Sequence, residues 1–185
     1  MTTYVALLRA VNVGGTGKLP MTVFKSALEE LGYRNVVTYI QSGNAVFDAK
    51  GSAAQVTKAL SAALEQQTGA PVVAMIRRRD ELSRVIAENP FAAEAVADGT
   101  RVHVGFLTGP APETAIAGLD RIVAQYPQRR DRYHLAGDTI YLHLPDGSAE
   151  TKFTGKTMDR AVGVPGTVRN WNTVLKLHSL SDRVK

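Results

Sequence analysis

The chain contains no cysteine. Disulfides, thiolate nucleophiles and thiolate metal sites are excluded together, and a reducing, cytoplasmic setting is the expected home. Histidine is scarce: His103, His134, His143 and His178 are the full set, no two at a metal-binding helical spacing, and no HExxH occurs. The expectation is therefore of no metal and no cofactor. Apolar runs long enough to cross a bilayer are also missing. Met1-Thr2-Thr3-Tyr4 lacks the charged lead-in of a signal peptide, so no membrane partner is expected. Neither sign of charge dominates. Lys and Arg number 22 against 17 Asp and Glu, for a net charge of +5. A field of that sign favours anionic partners such as nucleotides, nucleic acid or phosphorylated metabolites. It equally suits a protein that needs only to stay in solution.

What is present suffices for a globular fold. Hydrophobic residues make up 44% of 185 and charged residues 21%, ordinary proportions for a chain that buries a core. Tyr4 to Val13 reads as a buried strand interrupted by Arg9 and Asn12. A glycine-rich loop follows, then a helix over Met21 to Leu31 with Gly32 as its left-handed cap. Val36 to Ile40 and Ala45 to Phe47 form a hairpin around Ser42-Gly43-Asn44. Ser52 caps a second helix that Gly69 ends, and Pro71 to Ile76 closes the set as a strand. Strand, helix, hairpin, helix, strand is the split βαβ, or ferredoxin-like, order.

The same order recurs after a helix over Asp80 to Ala87 and an Ala-rich stretch to Gly99. Val102 to Leu107 is a strand. Pro112 to Ala124 is a helix that buries Ile116, Leu119, Ile122 and Val123. Arg132 to Leu135 and Thr139 to Leu144 pair around Gly137-Asp138, with Ile140, Leu142 and Leu144 inward and Tyr141 and His143 outward. A helix over Thr154 to Val162, a strand over Thr167 to Trp171 and a helix over Thr173 to Leu180 complete the chain. The expected fold is α+β: two tandem ferredoxin-like halves with antiparallel sheets. Residues 1–79 form the N-terminal half, 80–100 a helical connector, and 101–185 the C-terminal half with its closing helix. The repeat lies in element order rather than in residue identity.

Two glycine motifs invite a phosphate-loop reading and fail it. Gly14-Gly15-Thr16-Gly17-Lys18 has Asn12 and Leu19 where Walker A needs glycine and Ser or Thr. Pro20 stands where a dinucleotide fingerprint needs its third glycine. Gly155-Lys156-Thr157 has Glu150 in place of the upstream glycine. A looser anion site at either place remains open: Gly14, Gly15 and Lys18 before one helix, or Lys152, Lys156 and Arg160 as a cationic stripe. A plain connection and a solvated helix face fit the same residues.

Three further groups bear on function. Arg169, Asn170, Trp171 and Asn172 join the only tryptophan to a cation and amides, the means to stack a base and contact phosphate. They are equally a core anchor with turn-satisfying amides. Arg9, Asn12, Ser42 and Asn44 converge if the first strand lies beside the third, as either a polar pocket or a structural network. Arg77-Arg78-Arg79 is a solvated strand end or a phosphate-backbone contact.

Three blocks carry a family resemblance. Leu8-Arg9-Ala10-Val11-Asn12-Val13-Gly14-Gly15, followed by Lys18 and Met21, resembles the opening of an uncharacterised bacterial family, domain of unknown function 1697. Tyr39 to Asn44 with Phe47 resembles its second signature and Thr167 to Thr173 its third. Ala10 replaces the glycine more usual there. The resemblance implies two ferredoxin-like units and supplies no activity, substrate or cofactor.

The leading expectation is a binding module for an anionic ligand in a polar, basic cleft between the halves, carried by Arg9, Asn12, Gly14, Gly15, Lys18, Ser42, Asn44, Lys156, Arg160, Arg169, Asn170 and Trp171. Its rivals are a small enzyme acting on a phosphorylated metabolite and a structural or dimerising protein without a ligand. No catalytic residue is assignable: no Ser-His-Asp order and no carboxylate pair stands out.

Overall fold

The structure, a computed structural model, describes residues 1–12 and 17–183. Gly14 and Gly15 lie outside the described residues. The chain forms two compact units, Met1–Arg84 with Leu175–Lys185, and Val85–Val174.

In the first unit the order is β1 (Thr2–Leu8), α1 (Met21–Glu30), β2 (Arg34–Tyr39), β3 (Asn44–Ala49), α2 (Ala53–Thr68) and β4 (Ala74–Arg78), then α3 (Arg79–Ala87). The four strands make one antiparallel sheet in the order β2-β3-β1-β4, with Tyr4 opposite Phe47 and Val5 opposite Arg77. Alternation puts Tyr4, Ala6 and Leu8 on the face that packs against Phe24, Ala27 and Leu28 of α1 and Val56, Leu60 and Leu64 of α2. The expected caps are present. Ser52 and Gln55 form a reciprocal capping box, and Gly32 and Gly69 are left-handed at φ 77° and 72°.

The second unit repeats the plan after α4 (Ala92–Ala97). It comprises β5 (Val102–Leu107), α5 (Thr114–Gln125), β6 (Arg132–Ala136), β7 (Thr139–His143), α6 (Gly155–Val162) and β8 (Gly166–Asn170), followed by α7 (Trp171–Arg183). Its sheet order, β6-β7-β5-β8, is again fully antiparallel. Its helix-side core joins Leu107, Ile140 and Leu142 to Leu119, Ile122, Met158 and Val162. The fold is α+β, two tandem ferredoxin-like halves. Among the described residues, no helix is long and apolar enough to cross a membrane.

Five local expectations are corrected. Strand β1 ends at Leu8, because Ala10 and Asn12 adopt φ 53° and 55°, a left-handed backbone that no strand continues. Arg9 and Asn12 thus follow the strand instead of interrupting it. Strand β4 starts at Ala74, three residues after Pro71. Helix α5 buries Ala115, Gly118, Leu119 and Ile122, whereas Ile116 and Val123 are exposed. The inward stripe is set by α6, which comes so close at Gly118 that a Cβ there would lie 2.0 Å from the Ala161 carbonyl oxygen. Strand β7 is buried on both faces: Tyr141 is inside because its hydroxyl donates to the Val85 carbonyl at 3.0 Å. Trp171 opens α7 instead of closing β8.

Candidate functional site

The polar residues that follow β1 and those of the β2–β3 turn do meet. Asn12 donates its side-chain amide to the carbonyls of Leu19 and Gln41, both at 2.8 Å, and accepts from the Leu19 N–H at 2.9 Å. Its own N–H donates to the Gly17 carbonyl at 3.0 Å. One asparagine therefore joins Gly17 and Leu19 to Gln41 at the start of the hairpin turn. The turn itself presses on β1. The Leu8 N–H donates to the Gly43 carbonyl at 2.8 Å, and a Cβ at Gly43 would stand 2.5 Å from Val11 Cγ2. Asn44 is wholly buried and donates to the Tyr39 carbonyl at 3.1 Å and to Ser42 Oγ at 2.9 Å. Amides used this way hold backbone rather than ligand. Arg9 is partly buried and Lys18 exposed.

The β8–α7 junction reads similarly. Arg169 is 7% exposed and donates to Thr167 Oγ1 at 2.7 Å and to the Val168 carbonyl at 3.0 Å. Burial lowers its pKa to about 10. Asn170 Oδ1 accepts from the Asn172 N–H at 2.9 Å, at the first turn of α7. Trp171 is buried and has little ring to offer a base. In the basic run, Arg77 is buried, Arg78 pairs with Asp80 and Glu81, and Arg79 pairs with Asp182.

A different arrangement appears in the second unit, where α5 and α6 cross. The near-contact at Gly118 brings the two helices together and leaves an open groove of about 480 Å³ beside it. Arg121 and Gln125 are one turn apart on α5, and Thr157 and Arg160 line the α6 wall. Lys152 closes one end. It stands in the segment before α6, between Thr151 and Phe153, which are both buried, so the chain turns Lys152 outward. Its ammonium sits 5.4 Å from the Tyr126 ring centroid, within cation–π range. Lys156 is exposed on α6 and does not line the groove.

The charges there are uncompensated. The Arg121 and Arg160 guanidinium Nε–H groups donate to helix carbonyls, those of Ala117 and Lys156, at 3.2 and 3.4 Å. Among the described residues, neither arginine nor Lys152 has a carboxylate partner within 4.0 Å. Four other arginines of this unit are paired with carboxylates: Arg101 with Asp98, Arg129 with Glu150, Arg130 with Asp146 and Arg132 with Glu94. Three cations held around one concavity raise the local concentration of anions, and two guanidinium forks suit a phosphate or carboxylate. Among the described residues no cluster of three His, Asp or Glu side chains could hold a metal ion.

The family model of DUF1697, a protein family of unknown function, matches residues 1–141. The chain belongs to that family. Its first two signature blocks are the segments that interlock through Asn12 and Gly43, while the third, Thr167 to Thr173, lies beyond the matched residues. A solved structure, the conserved bacterial protein SP0830 from Streptococcus pneumoniae, is similar over 97% of this chain and 98% of its own, with a TM-score of 0.71 at 22% identity. That likeness concerns the fold. No curated protein matches the chain.

Sequence reasoning singled out Arg160 and discussed Lys152, but missed Arg121 and Tyr126. The one available signal was Gly118. A glycine inside an otherwise well-formed helix marks a close approach, and the approach makes the groove.

Proposed function

We propose that this DUF1697 protein is a binding module for a small anionic ligand, a nucleotide or phosphorylated metabolite, held at the α5–α6 groove. The observation that carries the reading is the set of three unpaired cations, Arg121, Lys152 and Arg160, around a concavity of about 480 Å³, a volume typical of small-molecule sites. Tyr126 adds an aromatic face at the same edge. A polynucleotide needs cations spread along a path, and these are gathered at one point, which favours a small ligand. The reading is of binding, without an assigned reaction.

The test is a titration of the full chain with inorganic phosphate and with a nucleoside monophosphate at two ionic strengths. Saturable binding that weakens with added salt, and that falls about tenfold or more in a variant combining Arg121→Ala and Arg160→Ala, is the expected result. Binding unchanged in that variant overturns the reading.

The two halves are further read as a duplication. Both sheets share one strand order, and β4 and β8 each carry a buried arginine one residue from the strand end. Each donates Nη1 to the carbonyl of its preceding residue, Arg77 to Ile76 at 3.1 Å and Arg169 to Val168 at 3.0 Å.

A further inference from the structure

Beside the groove lies a much smaller cavity, of about 10 Å³, that shares Ile122, Tyr126 and Lys152 with it and is otherwise lined by Val123, Arg129, Asp131 and Phe153. That is room for one water-sized group. Two buried polar atoms of its lining residues lack any hydrogen-bond partner: Asp131 Oδ1 and Arg129 Nε. Asp131 is only 8% exposed, and its other oxygen accepts from Thr151 Oγ1 at 2.7 Å. The Arg129 terminal nitrogen is held by Glu150 at 3.0 Å. The side chains are thus fixed from outside the cavity, while one acceptor and one N–H donor remain unmet. Buried groups left so are costly, and they call for a single group that both donates and accepts.

We infer that the ligand of the groove carries a hydroxyl next to its anionic group, as a sugar phosphate or the ribose phosphate of a nucleotide does, and that this hydroxyl enters the small cavity. There it donates to Asp131 Oδ1 and accepts from Arg129 Nε–H. A hydroxyl has both functions. An ammonium has three donors and no acceptor, leaves Arg129 unmet, and brings positive charge toward Arg129 and Lys152. A second phosphate would meet the Asp131 carboxylate. This inference rests on the anion-binding reading of the groove and adds Asp131 and Arg129 as the residues that select among phosphates. In the unliganded protein a water takes the hydroxyl's place, and the ligand displaces it while keeping its hydrogen bonds.

The experiment is an NMR titration of the ¹⁵N-labelled full chain at low salt with inorganic phosphate, ribose 5-phosphate and ribose. Ribose 5-phosphate is expected to bind about tenfold or more tightly than phosphate, in keeping with hydrogen bonds to charged groups, and ribose alone not measurably. Asp131→Asn turns its carbonyl to Thr151 and an N–H₂ to the cavity. It should shrink the sugar-phosphate advantage to about threefold or less while phosphate still binds, which also reports that the variant is folded. If that variant does not fold, Arg129→Lys, which keeps the charge but removes Nε–H, should produce the same selective loss. Phosphate binding in the wild type without a sugar-phosphate advantage, or an advantage kept in the folded variants, overturns the inference and leaves the anion site standing. Absence of phosphate binding at Arg121, Lys152 and Arg160 overturns both.

Discussion

The two units share a strand order and differ in what their polar side chains do. In the first, the amides that look functional in the sequence are bound inward: Asn12 to Gly17, Leu19 and Gln41, and Asn44 to Tyr39 and Ser42. In the second, Arg121, Lys152 and Arg160 are exposed and face a groove with no carboxylate partner among the described residues. Each unit also has a glycine at which two of its elements come close. Gly43 seats a turn against β1, and Gly118 seats α6 against α5. Amides in the first unit hold backbone together, whereas surface cations in the second line a groove beside a close approach of two helices at one glycine.

This contrast can be broken at its glycines first. Gly118→Ala forces a Cβ to within 2.0 Å of the Ala161 carbonyl oxygen, which only a separation of the helices relieves. The expected loss is about 3 kcal/mol in urea unfolding, together with an altered groove. A loss under about 1 kcal/mol would show that α5 and α6 part easily. Gly43→Ala combines a positive φ of 77° with contacts of 2.5 and 2.8 Å to Val11 and Leu8. Gly32→Ala has the same φ and nothing within 4 Å, so it isolates the backbone strain of about 1 kcal/mol. The first variant should cost about 2 kcal/mol more than the second. Equal losses would mean that the turn yields.

Next come the side chains. Asn12→Ala leaves two carbonyls and one N–H without their partner and should cost about 1 kcal/mol. Arg121→Ala and Arg160→Ala should each lie within about 0.5 kcal/mol of wild type while weakening anion binding. Loss of stability in the arginine variants, or none in Asn12→Ala, would erase the distinction between the units.

The smallest effect is a pH dependence carried by His103 and His143. Burial holds the imidazole of His103 below its ordinary pKa. Burial, then the charge of Arg132, whose guanidinium is 2.9 Å from Nδ1, does the same for His143. With the folded value depressed, the unfolded chain takes up more protons as pH falls through 6.5, so stability should decline below that pH. Replacing His103 with Gln should flatten the decline, as followed by thermal unfolding between pH 7.5 and 5.5. An unchanged slope would point to other groups.

Much of this architecture was legible. Periodicity and turn chemistry located β5 at its observed ends, the Ser52 cap, and the glycines at 32 and 69. The end of β1 was not legible, because apolar residues continue through Val11 and Val13 while the backbone turns left-handed at Ala10. Nor was the inward face of α5, since Ile116 and Val123 are as apolar as the residues that replace them. Only the proximity of α6 decides which stripe goes in. The groove escaped for the same reason. Arg121 and Arg160 are far apart in the chain, and nothing in the spacing of either announces the other.

The most direct test of the account follows backbone amide shifts of the full chain as inorganic phosphate is added. Shifts gathered at Gly118, Arg121, Lys152 and Arg160, with Lys18, Asn44 and Asn170 unmoved, are what an anion site built by α5 and α6 requires. Shifts centred instead on Lys18 and the β2–β3 turn, or none at all, would contradict it.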